Sequence, residues 1–312
     1  MVQIIPRADI TAERILELLH KEQVQAELCD TGTGIGVYIA TTHFDIVITT
    51  GDWLMAKATW VGELDTQDYV RSLVALNAAN NSAPVPKFSI DTPPEHSSSL
   101  VSVLKADEGP LEVSTSLVYP LGEGVTEIQL RSFLAEAINA GIRITREFHA
   151  LYPERSPKQQ GETFRIGVAE GNREDQVTPQ RVEQWFRGQG VDEASYDGAT
   201  KCISLSLDEM PVDIDFEDPE ILQVQASMLL PGNPDAQEDI DATAFLHLCN
   251  RANLDSLLST ISLIKQHEIL GIISHVAVPI RAGLSDSQLD QALNGGVVGA
   301  TAQMRAVLHQ LN

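Results

Sequence analysis

Two stretches of this chain can be laid over two later stretches without a gap, and that internal repeat limits the fold more than any other feature. Ile10-Thr-Ala-Glu-Arg-Ile15 lies over Val177-Thr-Pro-Gln-Arg-Val182, so that Thr11 meets Thr178 and Arg14 meets Arg181. Pro120-Leu-Gly-Glu-Gly-Val-Thr-Glu-Ile-Gln-Leu130 lies over Pro279-Ile-Arg-Ala-Gly-Leu-Ser-Asp-Ser-Gln-Leu289. Thr11 and Thr178 have the position and chemistry of helix N-caps, with Pro179 suited to a first helical turn. Thr126 with Gln129, and Ser285 with Gln288, have the spacing of capping boxes. Leu130, Leu134, Ile138 and Phe148, matched by Leu289, Leu293, Val297 and Val307, give each copy a long final helix with one apolar stripe.

Between these anchors lie short β-rich runs: 35–40, 43–48 and 53–61 in the first copy, and 202–207, 212–216 and 221–229 in the second. A middle helix follows near 68–80 and 241–253, each ending in Asn-x-x-Asn (Asn77 and Asn80; Asn250 and Asn253). Two further strands are expected at about 101–104 with 111–119, and at 259–265 with 269–278. Ser89 to Ser99 reads as a polar loop inserted in the first copy. The expectation is an α+β protein of two tandem αβββαββα domains, residues 1–152 and 177–312. Each is an antiparallel five-stranded sheet with helices, and a linker over 153–176 joins them. A chain of 312 residues is comfortable for two such cores. Phe164 to Val168 is a small apolar run inside that linker.

Composition narrows the function. With 44 acidic against 21 basic residues, the net charge is −23. That excludes general binding to a phosphate backbone, which needs Lys and Arg. It favours association with a cationic partner. Three cysteines with no CxxC imply neither a disulfide framework nor a zinc site. The N-terminus has no signal-peptide pattern, and no stretch nears the roughly 18 apolar residues of a membrane span. The expected location is cytoplasmic.

The motifs that might carry chemistry do not hold. Thr31-Gly-Thr-Gly-Ile-Gly36 resembles a phosphate loop, but a strand rather than a helix is expected after it. His267-Glu268 begins an HExxH, but Gly271 stands where the second His would be. His43, His247 and His275 sit in or beside apolar runs and read as satisfied or surface histidines. Asp213, Asp215 and Glu217 alternate with Val212, Ile214 and Phe216, which describes a strand with an acidic face. A calcium loop of the EF-hand type fails at Asp218 and Val224. The face is read as solvated, as a docking surface for a basic partner, or, last, as a divalent-metal site. The polar residues shared by both copies are mostly caps, turns or helix-surface positions, with no acid, base and nucleophile among them that could act together.

The element order, with Gly124-Val-Thr-Glu-Ile-Gln-Leu130 and the closing helix to His149-Ala-Leu-Tyr-Pro-Glu154, resembles the YbjN family. Gly283-Leu-Ser-Asp-Ser-Gln-Leu289 is the second copy's version. The resemblance implies a type III secretion chaperone-like fold and a bacterial regulator of sensory transduction, with no established enzymatic role. Chaperones of that fold act as dimers, so it implies an internal pseudo-dimer here. The functional expectation is a non-enzymatic protein-interaction or chaperone-like regulatory module. Its partner would be an unidentified protein, not nucleic acid or a membrane, with Asp213, Asp215 and Glu217 facing it. No catalytic, cofactor or metal residue is expected. The alternative is a small-ligand sensor or enzyme with a pocket in one domain or at the domain interface, motivated by the differences between the copies.

Overall fold

The computed structural model describes residues 3–28, 34–39, 42–92, 111–155, 175–230, 242–266 and 269–311. The first half runs β1 (Ile4–Pro6), α1 (Ala12–Lys21), β2 (Ala26–Leu28), β3 (Gly34–Ile39), β4 (Thr42–Ile48), β5 (Trp53–Trp60), α2 (Tyr69–Ser82), β6 (Lys87–Asp91), β7 (Glu112–Pro120), β8 (Gly124–Thr126) and α3 (Glu127–Leu151). The second runs α4 (Pro179–Gly188), β9 (Tyr196–Asp197), β10 (Cys202–Leu207), β11 (Met210–Asp215), β12 (Ile221–Leu229), α5 (Ala242–Asp255), β13 (Thr260–Gln266), β14 (Ile269–Pro279) and α6 (Asp286–Leu311). The class is α+β. The two large sheets are antiparallel and share one strand order, β6-β7-β5-β4-β3-β2 and β13-β14-β12-β11-β10-β9. The short edge strands β2 and β9 bring each sheet from the five strands expected to six.

Local chemistry sets the helices. The Thr11 and Thr178 hydroxyls accept from the amides of Arg14 and Arg181 at the starts of α1 and α4. Both capping boxes form: Gln129 and Gln288 accept from the Thr126 and Ser285 amides, each at 2.8 Å. Leu130, Leu134, Ile138 and Phe148 on α3, and Leu289, Leu293 and Val307 on α6, are buried. The helices α3 and α6 lie on the sheets of their own halves. The repeated glycines Gly124 and Gly283 are needed for space. A Cβ on Gly124 would meet the Ile5 carbonyl oxygen at 2.4 Å. One on Gly283, which also has φ +77°, would meet that of Asp175 at 2.6 Å. In each half the segment leading to the first helix passes over this glycine.

One strand differs from the sequence expectation. β7 is paired on one edge with β5 and on the other with Lys87–Asp91. The strand beside 111–119 is therefore 87–91, not 101–104, and Ser89 to Asp91 belong to the sheet rather than to a loop. Phe88 and Ile90 are buried, and Asn80 fixes the strand by bonding both Phe88 N–H (2.8 Å) and Phe88 C=O (3.0 Å). Fixation by a carboxamide on a packed helix outweighs the polar letters of the run. Residues 101–104, 93–99 and 164–168 lie outside the described residues.

The two halves share a core. One contiguous apolar cluster contains Leu54, Phe133 and Leu134 together with Val224, Leu293 and Met304. A second gathers Trp60, Tyr69, Phe88, Phe148 and Tyr152, with Leu246 from the other half. The polar contacts between halves are reciprocal. Asn77 on α2 bonds the N–H and C=O of Leu263 on β13, at 2.8 and 2.9 Å. Asn250 on α5 bonds the N–H and C=O of Ile90 on β6, at 2.9 and 2.8 Å. Asn80 and Asn253 make the same paired bonds within their own halves, to Phe88 and Ile261. Gln129 and Gln288 also cross: Gln129 Nε2 donates to Gly283 O and to Gln288 Oε1, both at 2.9 Å, and Gln288 Nε2 donates to Pro120 O at 3.2 Å.

The shared amides were expected as caps and surface residues; Asn80, Asn250, Asn253, Gln129 and Gln288 are buried instead. Replacing Asn250 by Ala leaves a buried N–H and C=O of Ile90 unpaired, at a cost of about 3 kcal/mol. Asn77→Ala should cost about half as much, because Asn81 Nδ2 still bonds Leu263 C=O at 2.8 Å and only the Leu263 N–H is freed; both losses are read as lowered denaturant midpoints in equilibrium unfolding. A loss within experimental error for both would contradict this role.

Candidate functional site

Two surfaces stand out because the halves differ there. The first is the acidic face of β11. Asp213 sits between Ser204 on β10 and Gln225 on β12, and Asp215 between Cys202 and Gln223. Ser204 Oγ donates to Asp213 at 2.6 Å, and Asp215 accepts from the Glu217 amide at 2.6 Å. Alternation turns both aspartates away from the core, in which Val212 and Ile214 are fully buried. Glu217 lies beyond the end of the strand, in the exposed turn before β12. The structure thus places Asp213 and Asp215 side by side and puts Glu217 at the rim. In the first half the matching row is Gly36, Asp45 and Lys57. The second half has Gln225 where the first has Lys57, so its carboxylates face no cation in the row.

The second surface is a cleft of about 690 Å³ between α5 and the C-terminal half of α6. His247, Arg251 and Asp255 stand one turn apart along α5 and all line it, with Leu248, Leu257 and Leu258 as apolar lining. Gln303 forms part of the wall. Its Oε1 accepts from Ser274 Oγ at 2.8 Å and its Nε2 donates to Ala252 O at 3.0 Å, tying α6 to α5. Along the ungapped alignment from Pro120 and Pro279, Gly299, Ala302 and Ala306 fall on Ala140, Arg143 and Glu147. Arg143 narrows the groove in the first half to about 150 Å³: it pairs with Glu147 at 2.8 Å, reaches Ser82 Oγ on α2 at 3.2 Å, and lies over the Phe88 ring. Tyr152, bonded to Ser72 at 2.9 Å, packs where that helix ends. The smaller residues leave the second groove open.

Of the histidines read from sequence, His247 and His275 are each held through one ring nitrogen. His247 Nδ1 lies 2.7 Å from the Tyr69 hydroxyl, and burial, then Arg251, lowers its pKa. His275 is buried, with Nε2 donating to Pro84 O at 3.1 Å, and burial pushes it down to about 4. Both contacts cross between the halves. So does Lys87, whose Nζ donates to the carbonyls of Ser256 and Leu257; burial lowers it to about 7. His43 lies 3.7 Å from Asp45. Gly34 and Gly36 lie in β3, so a strand does follow the glycine run, whose residues 31–33 are outside the described residues, as are 267–268. Among the described residues no group of His, Cys, Asp or Glu is placed to hold a metal ion. No described helix is long and apolar enough to cross a membrane. Sequence reasoning missed Arg251 and the cleft; the signal was the loss of Arg143 and Glu147 at positions 302 and 306.

No family model matches the chain, and no curated protein matches it. Among solved structures it is similar to YbjN from E. coli, a protein proposed to regulate transcription. The identity is 16%, the match covers 42% of this chain and 88% of that one, and the TM-score is 0.32. At that score the likeness carries no functional information.

The buried imidazole gives a pH signature. Below the ordinary value near 6.5, unfolded His275 takes up a proton that the folded ring, at about 4, does not. Stability therefore falls as pH drops from 6.5 toward 4, by about 2 kcal/mol from this group at pH 5. Urea unfolding at pH 7.5 and pH 5 should show that loss reduced in His275→Asn. A variant whose loss equals the parent's would contradict it.

Proposed function

We propose that the protein is a non-enzymatic, cytoplasmic interaction module of the chaperone-like regulatory kind. In this reading it is an internal pseudo-dimer of two domains, 1–152 and 177–312, joined by the 153–176 segment. It docks a basic protein segment on the acidic face formed by Asp213 and Asp215, with Glu217 at its rim. The observation that carries the reading is the missing counter-charge: Gln225 stands opposite Asp213 where Lys57 stands opposite Asp45. Like carboxylates held on one strand face cost stability unless a cation joins them. An overall charge of −23 extends the attraction and speeds encounter with a cationic partner. The reciprocal amide bonds between the halves support the pseudo-dimer.

The test is a charge reversal. Asp213→Lys with Asp215→Lys lies on a wet strand face and should leave the unfolding midpoint near that of the parent. Affinity capture from a native lysate, with bound proteins identified by mass spectrometry, should then show a basic protein retained by the parent and lost with the variant. Its retention by the parent should weaken between about 50 and 300 mM salt. The same proteins bound equally by both chains, or bound independently of salt, would overturn the acidic face as the docking surface.

A further inference from the structure

We infer that the cleft between α5 and α6 binds a small monocarboxylate with an apolar body, held by Arg251 and His247. The argument starts from hydrogen-bond accounting. Tyr69 is fully buried, and among the described residues its hydroxyl has one hydrogen-bond partner, His247 Nδ1 at 2.7 Å. Burial pushes the Tyr69 phenol up to about 12, so its one proton is present at neutral pH. A buried O–H needs an acceptor, and Nδ1 is the one within reach among the described residues, so the hydroxyl donates that proton to Nδ1. A neutral His247 therefore carries its own hydrogen on Nε2, and burial keeps the ring neutral. Among the described residues Nε2 has no hydrogen-bond partner, and the ring lines the cleft.

Arg251 follows one helical turn later on the same wall. It makes no ion pair or hydrogen bond with a described residue, although acidic side chains outnumber basic ones by two to one in this chain. Three other polar side chains of the lining are occupied: Ser256 and Ser259 bond each other at 2.6 Å, and Gln303 is committed to Ser274 and Ala252. The guanidinium and the imidazole N–H are two free donors that a single carboxylate spans.

The rest of the lining sets the class of ligand. Leu248, Leu257, Leu258, Ala302 and Ala306 form an apolar bed, and about 690 Å³ suits a molecule of a dozen or so heavy atoms. Asp255 in the lining, with the overall negative charge, works against polyanions such as nucleotides and favours a ligand with a single negative charge. The first half does not offer this site, because Arg143, paired with Glu147, narrows its groove to about 150 Å³.

Phenylacetate and hexanoate are the probes, with phenylacetamide and inorganic phosphate as controls. Binding to the full chain is followed by saturation-transfer NMR and by the unfolding midpoint against ligand concentration. Both carboxylates should bind saturably, and the amide and phosphate should not. Arg251→Gln should weaken binding by about tenfold or more. Ala302→Arg with Ala306→Glu, which rebuilds the first half's plug, should abolish it while circular dichroism and the ligand-free midpoint stay near those of the parent. Failure of both carboxylates to saturate by about 10 mM, equal binding of the amide, or undiminished binding by the plugged variant would each overturn the proposal. Should the plugged variant misfold, Arg251→Gln alone decides.

Discussion

A strand at the end of a sheet presents a row of free N–H and C=O groups, and something must pair with them when that edge is buried. Here asparagine carboxamides take the place of a neighbouring strand. Each carboxamide carries one donor and one acceptor on the same planar group, as a peptide unit does. The edge of β6 receives one from the helix of each half, and that of β13 receives Asn253 from its own half and Asn77, with Asn81 beside it, from the other. Because α2 supplies Asn77 to the far sheet and Asn80 to its own, no shift of one half against the other preserves all four pairings. The arrangement closes both edges to further strands and fixes the halves in one register.

The same logic extends through the contact. Gln129 and Gln288 each use the oxygen to cap their own helix and the nitrogen to reach the other half. Tyr69, His247, His275, Pro84 and Lys87 add further buried polar pairings. Apolar burial supplies most of the attraction between packed elements, but it is not directional. The polar pairs supply direction, since a buried donor or acceptor left unmatched costs more than a matched one contributes. That asymmetry explains why the amides at matching positions of the two halves sit at buried contacts.

Much of this fold was legible because it is local. Caps such as Thr11 and Thr178, the capping boxes at Thr126 and Ser285, and the leucine stripes of α3 and α6 depend on residues three or four apart, and the sequence pattern resolves them. β6 was not legible: Lys87-Phe-Ser-Ile-Asp91 has polar letters at its ends, and it is held by Asn80 and by Asn250, which lies 160 positions away. The role of Asn77 was hidden for the same reason, its partner Leu263 being 186 positions off. Alternation in 212–217 did place Asp213 and Asp215 on an outward strand face, and left Glu217 one step too far, in the turn. The cleft depended on an absence, two alanines where the other copy has Arg143 and Glu147, which a search for chemical motifs passes over.

The two halves share one strand order but differ in the row through Asp213 and in the groove beside Arg251. Both are built on a frame that the reciprocal amides hold together, so the frame is the claim to test first. Native-state hydrogen exchange on the whole chain reads it directly, through the amides of Ile90 and Leu263. If the foreign asparagines clamp these edges, both amides exchange as slowly as central-strand amides such as those of Ala56 and Val224, opening only with global unfolding. Exchange of Ile90 and Leu263 at rates near those of an unprotected strand edge, while Phe88 and Ile261 stay protected by their own halves' asparagines, would contradict the account.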